Sequence, residues 1–135
     1  MNKLQELTVN LAESRYQTHT FNCLPIQGEQ SVLRVEVSEL DALPLFVTAT
    51  NTQILCIAYL FHRSEIDPQQ EAELHRFMLD LNIPMPLSAF SLVDDYYAIF
   101  GALAVNSRVE TVQHELVTLA NNAIEALEAL EPFLK

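Results

Sequence analysis

Residues 45–86 read LFVTATNTQILCIAYLFHRSEIDPQQEAELHRFMLDLNIPMP, and the change of period inside this run decides the fold. From Leu45 to Thr50 and from Gln53 to Phe61 the chain is rich in β-branched and aromatic residues, which suit a pleated surface; Asn51-Thr52 between them reads as a hairpin turn. Asp67-Pro68 then supplies an N-cap acceptor followed by a proline at the first helical position, where its missing N–H is no loss, and Gln70 adds a capping-box-like partner. Leu74, Phe77, Met78 and Leu81 follow on one helical face until Pro84 and Pro86, whose rings cannot continue the ladder, which predicts a helix of about 14 residues.

Upstream, Leu4, Leu7 and Leu11 mark an amphipathic helix between Lys3 and Arg15. His19 to Ile26 is extended in character, but Pro25 limits it to an edge strand or a loop. Val32 to Val37 alternates Leu33, Val35 and Val37 with Arg34 and Glu36, the period-two pattern of a half-buried strand. Downstream, Phe90 to Val93 and Tyr96 to Val105 flank Asp94-Asp95 and predict a second hairpin, with Gly101 marking a bulge or the close approach of another backbone. Ser107 and Glu110 read as a capping box that opens a last helix through Val109, Val112, Leu116, Leu119, Ala123, Leu127 and Leu130 to Pro132. The expected architecture is a single α+β domain over residues 1–135, in the order α-β-β-β-α-β-β-α. An antiparallel or mixed five-stranded sheet is packed by three helices.

Composition excludes more function than it assigns. The 135 residues are half hydrophobic, enough for one core, and the formal charge is -11, with 18 acidic against 7 basic side chains. Nucleic acid and anionic membrane are therefore poor partners. Two glycines, Gly28 and Gly101, cannot build a dinucleotide turn or a phosphate loop. Cys23 and Cys56 are too few for a disulfide scaffold and read as free thiols, with Cys56 inside an apolar run. The opening residues hold no apolar run like that of a signal peptide, and no segment is long and apolar enough to insert in a membrane, so a soluble cytoplasmic protein is expected.

The chemistry-bearing residues each have a plainer explanation. Glu71 with His75 and Glu110 with His114 lie four apart, as two metal ligands on a helix would, but helical geometry turns His114 away from the apolar stripe, and both read as solvent-exposed pairs. Asp94 and Asp95 sit in a turn, where neighbouring side chains diverge and stay ionised. No nucleophile elbow or phosphate loop occurs, so no catalytic residue, metal ligand or cofactor is assigned.

The stretches Asn82-Ile83-Pro84-Met85-Pro86-Leu87-Ser88-Ala89-Phe90 and Asp95 to Leu103 resemble the YjfI-like family of bacterial proteins, as do Leu43-Pro44-Leu45-Phe46 and Leu119-Ala120-Asn121-Asn122. The resemblance spans nearly the whole chain and implies a gene neighbourhood with PspA-like proteins, hence a link to envelope stress. The order of elements is similar to that of class I type III secretion chaperones and YbjN-like proteins, which implies an acidic, dimeric, protein-binding module. The expected partner or homodimer surface joins the second helix to the strand from Phe90, with Phe77, Met85, Leu87, Phe90, Tyr96 and Tyr97 as its residues. The alternative is a small-molecule-sensing or enzymatic domain with a pocket formed by Tyr96, Tyr97 and a distant histidine.

Overall fold

The computed structural model describes residues 2–135. Helix α1 (Lys3–Ala12) opens on a reciprocal capping box: Asn2 Oδ1 accepts from the Gln5 amide at 2.9 Å and Gln5 Oε1 from the Asn2 amide at 3.0 Å, while Leu7 and Leu11 are buried. Strands β1 (Arg15–Tyr16), β2 (His19–Ile26), β3 (Val32–Val37), β4 (Leu45–Ala49) and β5 (Gln53–His62) follow as an antiparallel meander. Helix α2 (Glu71–Asn82), the hairpin β6 (Ala89–Val93) and β7 (Tyr96–Ala104), and helix α3 (Val109–Leu130) complete the chain. The class is α+β, and every named strand pair is antiparallel, in the order β1-β2-β3-β4-β5-β7-β6.

Among the described residues, seven strands replace the five expected. Strand β2 forms in full because Pro25 lies near its end, opposite Leu33, and β1 pairs only with His19 and Thr20, so most of β2 is a sheet edge that tolerates a proline. Two residues of β1 are too short to show a period.

Leu33, Val35, Val37, Leu45, Val47, Ile54, Cys56 and Ile99 point to one face of the sheet and are at most 1% exposed. Helices α1 and α3 cover that face, as the alternating pattern requires of a half-buried sheet. A register shift between Tyr59 and Phe61 sets the bulge in β5 rather than at Gly101. Asp67 caps a short 3-10 turn (Pro68–Gln70), accepting from the Gln69 amide at 3.0 Å, and α2 proper begins one turn later than the proline suggests. The start of α3 also differs from expectation. Arg108 is its N-cap and makes no side-chain bond; with the helix opening at Val109, Ser107 stands one residue too early to cap it. Asp94 and Asp95 both have positive φ, 49° and 67°, between the paired residues Val93 and Tyr96, which makes a type I′ turn without glycine.

Candidate functional site

Two features meet where α2 passes the outer strand β6. The first is a polar cluster. Arg63 Nε lies 2.6 Å from Glu71 Oε1, and its Nη1 lies 3.7 Å from Asp95 Oδ1, while the Arg63 amide donates to the Asp95 carbonyl at 2.7 Å. The Tyr97 hydroxyl donates to Glu71 Oε1 at 3.4 Å and lies 2.8 Å from His75 Nε2. The hydrogen bond from Arg63 holds the Glu71 carboxyl below the usual carboxylate range, and burial together with Glu71 pushes the Tyr97 hydroxyl up. One carboxylate oxygen thus serves Arg63 and Tyr97, with His75 Nε2 3.9 Å away, which ties the β6–β7 turn, α2 and the end of β5 together. Among the described residues no three of His, Cys, Asp and Glu gather as a metal ion would require.

The second feature is apolar. A cavity of about 270 Å³ is lined by Leu81, Met85, Pro86, Phe90 and Asn122, with Glu125 at its rim. One of about 300 Å³, lined by His75, Met78, Leu79, Leu92 and Tyr97, shares Phe90 with it. Around them Leu79, Ile83, Leu87 and Leu92 are 68%, 89%, 55% and 45% exposed. Leu87 adopts φ 64° while the Ser88 amide donates to the Pro86 carbonyl at 2.8 Å, a γ-turn of the rare, strained hand. Asn122 holds it: its Nδ2 donates to the Pro86 carbonyl and to Ser88 Oγ, each at 2.9 Å.

The outer edge of β6 is a short row of backbone groups, one of which is already engaged. In a two-residue hairpin the pair beside the turn exchanges both bonds, so alternation aims the groups of Phe90 and Leu92 outward. Asn82 Oδ1 already accepts from the Phe90 amide at 2.7 Å.

The expected surface residues divide. Met85 and Phe90 are half-buried and line the first cavity, and Leu87 stands exposed beside it. Phe77 packs on Phe133 with ring centroids 5.6 Å apart. Tyr96 and Tyr97, adjacent on a strand, face opposite ways. Tyr97 is 1% exposed beside His75, whereas Tyr96 is 45% exposed and meets Tyr59 and His62 on the other side of the sheet. The expected pocket holding both tyrosines does not form; each has its own histidine neighbour, His75 beside Tyr97 and His62 beside Tyr96, on opposite sides of the sheet. Glu71 is not a bare solvent-exposed pair with His75, since Arg63 and Tyr97 reach its carboxylate first, and His114 is exposed with Nδ1 2.9 Å from the Tyr16 hydroxyl. Burial pushes the Cys56 thiol up to about 12, with Glu115 adding to the shift.

Sequence reasoning missed Glu115 and Asn122, which are 2% and 5% exposed on the packed side of α3. Glu115 Oε1 is buried with no hydrogen-bond partner, and burial raises its carboxyl above the usual range. The signal was present: a Glu adjoining Leu116 and an Asn adjoining Ala123 fall inside the apolar stripe of the helix, where a polar residue needs a reason.

A sheet covered on one face, with an apolar outer corner pinned by polar side chains, defines a small α+β protein built around a surface. The chain belongs to the bacterial family described as "Uncharacterized protein conserved in bacteria (DUF2170)", whose model matches residues 1–134. It is similar to "Uncharacterized protein YjfI" of Escherichia coli strain K12 and of E. coli O157:H7, each 24% identical over 114 residues, 82% of this chain and 84% of the relative. The resemblance to the YjfI-like family is thereby borne out. Among solved structures, the "Crystal Structure of the ExsC-ExsE Complex" is similar with a TM-score of 0.47 and 12% identity, covering 95% of this chain and 96% of that one. At that level of likeness neither partner nor activity passes from one chain to the other. No helix among the described residues is long and apolar enough to cross a membrane.

Proposed function

We propose that this protein is a non-catalytic, adaptor- or chaperone-like binding module of the bacterial cytoplasm. Its corner of α2, β6 and α3 holds a partner segment that carries apolar anchors beside lysine or arginine. The observation behind this is the group Leu79, Ile83, Leu87 and Leu92, exposed together around two apolar cavities. Charge supports the partner's chemistry: between Arg76 and Arg108 the chain has no Lys or Arg, and α3 has none, while Asp80 beside Leu79, Glu125 on the first cavity and Glu128 one turn further along α3 are exposed. The same acids argue against two copies meeting at this corner. The titratable groups that do converge, around Glu71, are engaged with one another, which favours a structural duty over catalysis. A PspA-like protein, suggested by the family resemblance, is the first partner to test.

The experiment is a titration of the full chain with a purified PspA-like protein and with a synthetic basic amphipathic peptide, followed by fluorescence anisotropy. Saturable binding is expected, weakened at least tenfold by Leu79→Asp or Ile83→Asp, because a charge would have to be desolvated on contact. It should also weaken as salt rises from about 50 to about 500 mM and the Debye length falls from roughly 14 to roughly 4 Å. Binding that ignores both substitutions sinks the reading. So does stoichiometric metal, or turnover of a metabolite that is lost on changing His75.

A further inference from the structure

We infer that the uncovered face of the sheet is a contact between two copies of this chain. Helices α1 and α3 pack on the opposite face, and α2 meets the sheet at β6. An antiparallel face left to solvent ordinarily carries polar side chains. Here the cross-strand row Phe46, Ile57 and Phe100 runs through its centre, and Tyr59, 37% exposed, lies 5.8 Å from Phe46 and 6.0 Å from Tyr96 between ring centroids. Tyrosine and phenylalanine in such a row are the residues that anchor protein contacts.

Charge selects a second copy as the occupant. Although the chain carries -11, strands β2 to β7 hold one acid and one base, Glu36 and Arg34, which lie on this face with Nη2 and Oε1 3.5 Å apart. The centre of the face is thus where two strongly acidic chains can meet with little net charge brought together, with Asp94, beside Tyr59 and Tyr96, and Asp41, beside Glu36, at its rim. A two-fold axis pairs each Arg34 with the other copy's Glu36. The size is adequate. Six strands about 4.8 Å apart and about five residues long project roughly 500 Å², and side-chain relief carries the accessible area toward the roughly 800 Å² per partner of a standard interface. This contact is separate from the corner proposed for a partner segment, and each stands without the other.

The test is light scattering with sedimentation of the full chain across micromolar concentrations at low and high salt. A mass of twice 15.3 kDa is expected. The dimer should strengthen as salt screens the repulsion of two acidic chains, the opposite of a charge-steered partner. Tyr59→Lys and Tyr96→Lys, at exposed positions, should weaken it roughly thirtyfold while leaving the far-ultraviolet circular-dichroism spectrum at low temperature, and hence the fold, unchanged. Arg34→Glu should weaken it too, and adding Glu36→Arg should restore it. A monomer throughout overturns the inference. So does a dimer that survives Tyr59→Lys and Tyr96→Lys but is lost with Leu87→Asp, since that places the contact at α2 and β6.

Discussion

The carboxyl group of Glu115 occupies the space that a β-carbon at residue 101 would take, and the Leu87 carbonyl lies 3.1 Å from the same point. Gly101 is thus required by a neighbour on another element and not by its own backbone angles. Gly101→Ala should destabilise the protein by about 1–3 kcal/mol, as overpacking of a filled core does. Glu115→Ala in the same chain should recover most of that loss, and a double-mutant cycle by urea denaturation would measure the coupling. Independent, additive effects would mean that the two residues do not touch.

Glu115 also sets a pH dependence. Burial raises its carboxyl, so the folded chain binds that proton more tightly than the unfolded chain. Stability linked to this group is complete below the unfolded value and falls as pH rises through the ordinary carboxylate range toward the raised one. Glu71 runs the other way: its pKa is lowered by Arg63, so its contribution is present above the ordinary value and lost as pH falls through the folded one. Urea midpoints of the parent and of Glu115→Gln between about pH 3 and about pH 8 should therefore diverge upward, with the variant gaining on the parent as pH rises. A difference that does not change with pH contradicts the buried, partnerless carboxyl.

Stability and binding should part company at Leu87. Glycine accepts φ 64° without strain, and the Leu87 side chain is more than half exposed, so Leu87→Gly should raise stability by up to about 1 kcal/mol. It should at the same time weaken the proposed partner segment. Asn122→Ala removes both donors to the γ-turn and should cost about 1–3 kcal/mol. A Leu87→Gly variant that is clearly less stable would show that the turn is held by contacts of the leucine itself.

The two thiols should be slow to react. Burial raises Cys23 to about 11 and Cys56 to about 12, so little thiolate exists near neutrality. Alkylation followed by mass spectrometry should label both far faster in urea than in buffer. Rapid native labelling of Cys56 would require an opening of the β4–β5–β7 region.

The strands and helices that carry a clean period were legible: Val32 to Val37, the hairpin around Asn51, and the stripe of α3 stand where their patterns put them. Strand β1 was not, since two residues show no period, and the cap of α3 was misplaced because Ser107 satisfies a pattern whose register is fixed by packing. Of the expected surface residues, Leu87 is exposed while Met85 and Phe90 pack partly against the core, a division that an apolar stretch around two prolines does not reveal. Separating Tyr96 from Tyr97 needed only the alternation of a strand. Finding Arg63 beside Glu71 and Asp95 needed the fold, because sequence distance says nothing of which turn meets which helix.

Strands β5 and β7 are neighbours in the sheet although residues 63–95 run between them. The meander from β2 to β5 and the β6–β7 hairpin each zip from a short turn, so both are quick local events. Joining them requires closing a long loop, an entropic barrier of about 3 kcal/mol before any cross-strand contact offsets it. That closure makes the seam between β5 and β7 the slow, non-local step in refolding. Until it closes, the inward-facing row of β5 and the unpaired edge of β7 are open to other chains, and Arg63, which fastens β5 to the Asp94-Asp95 turn, sits at one end of that seam.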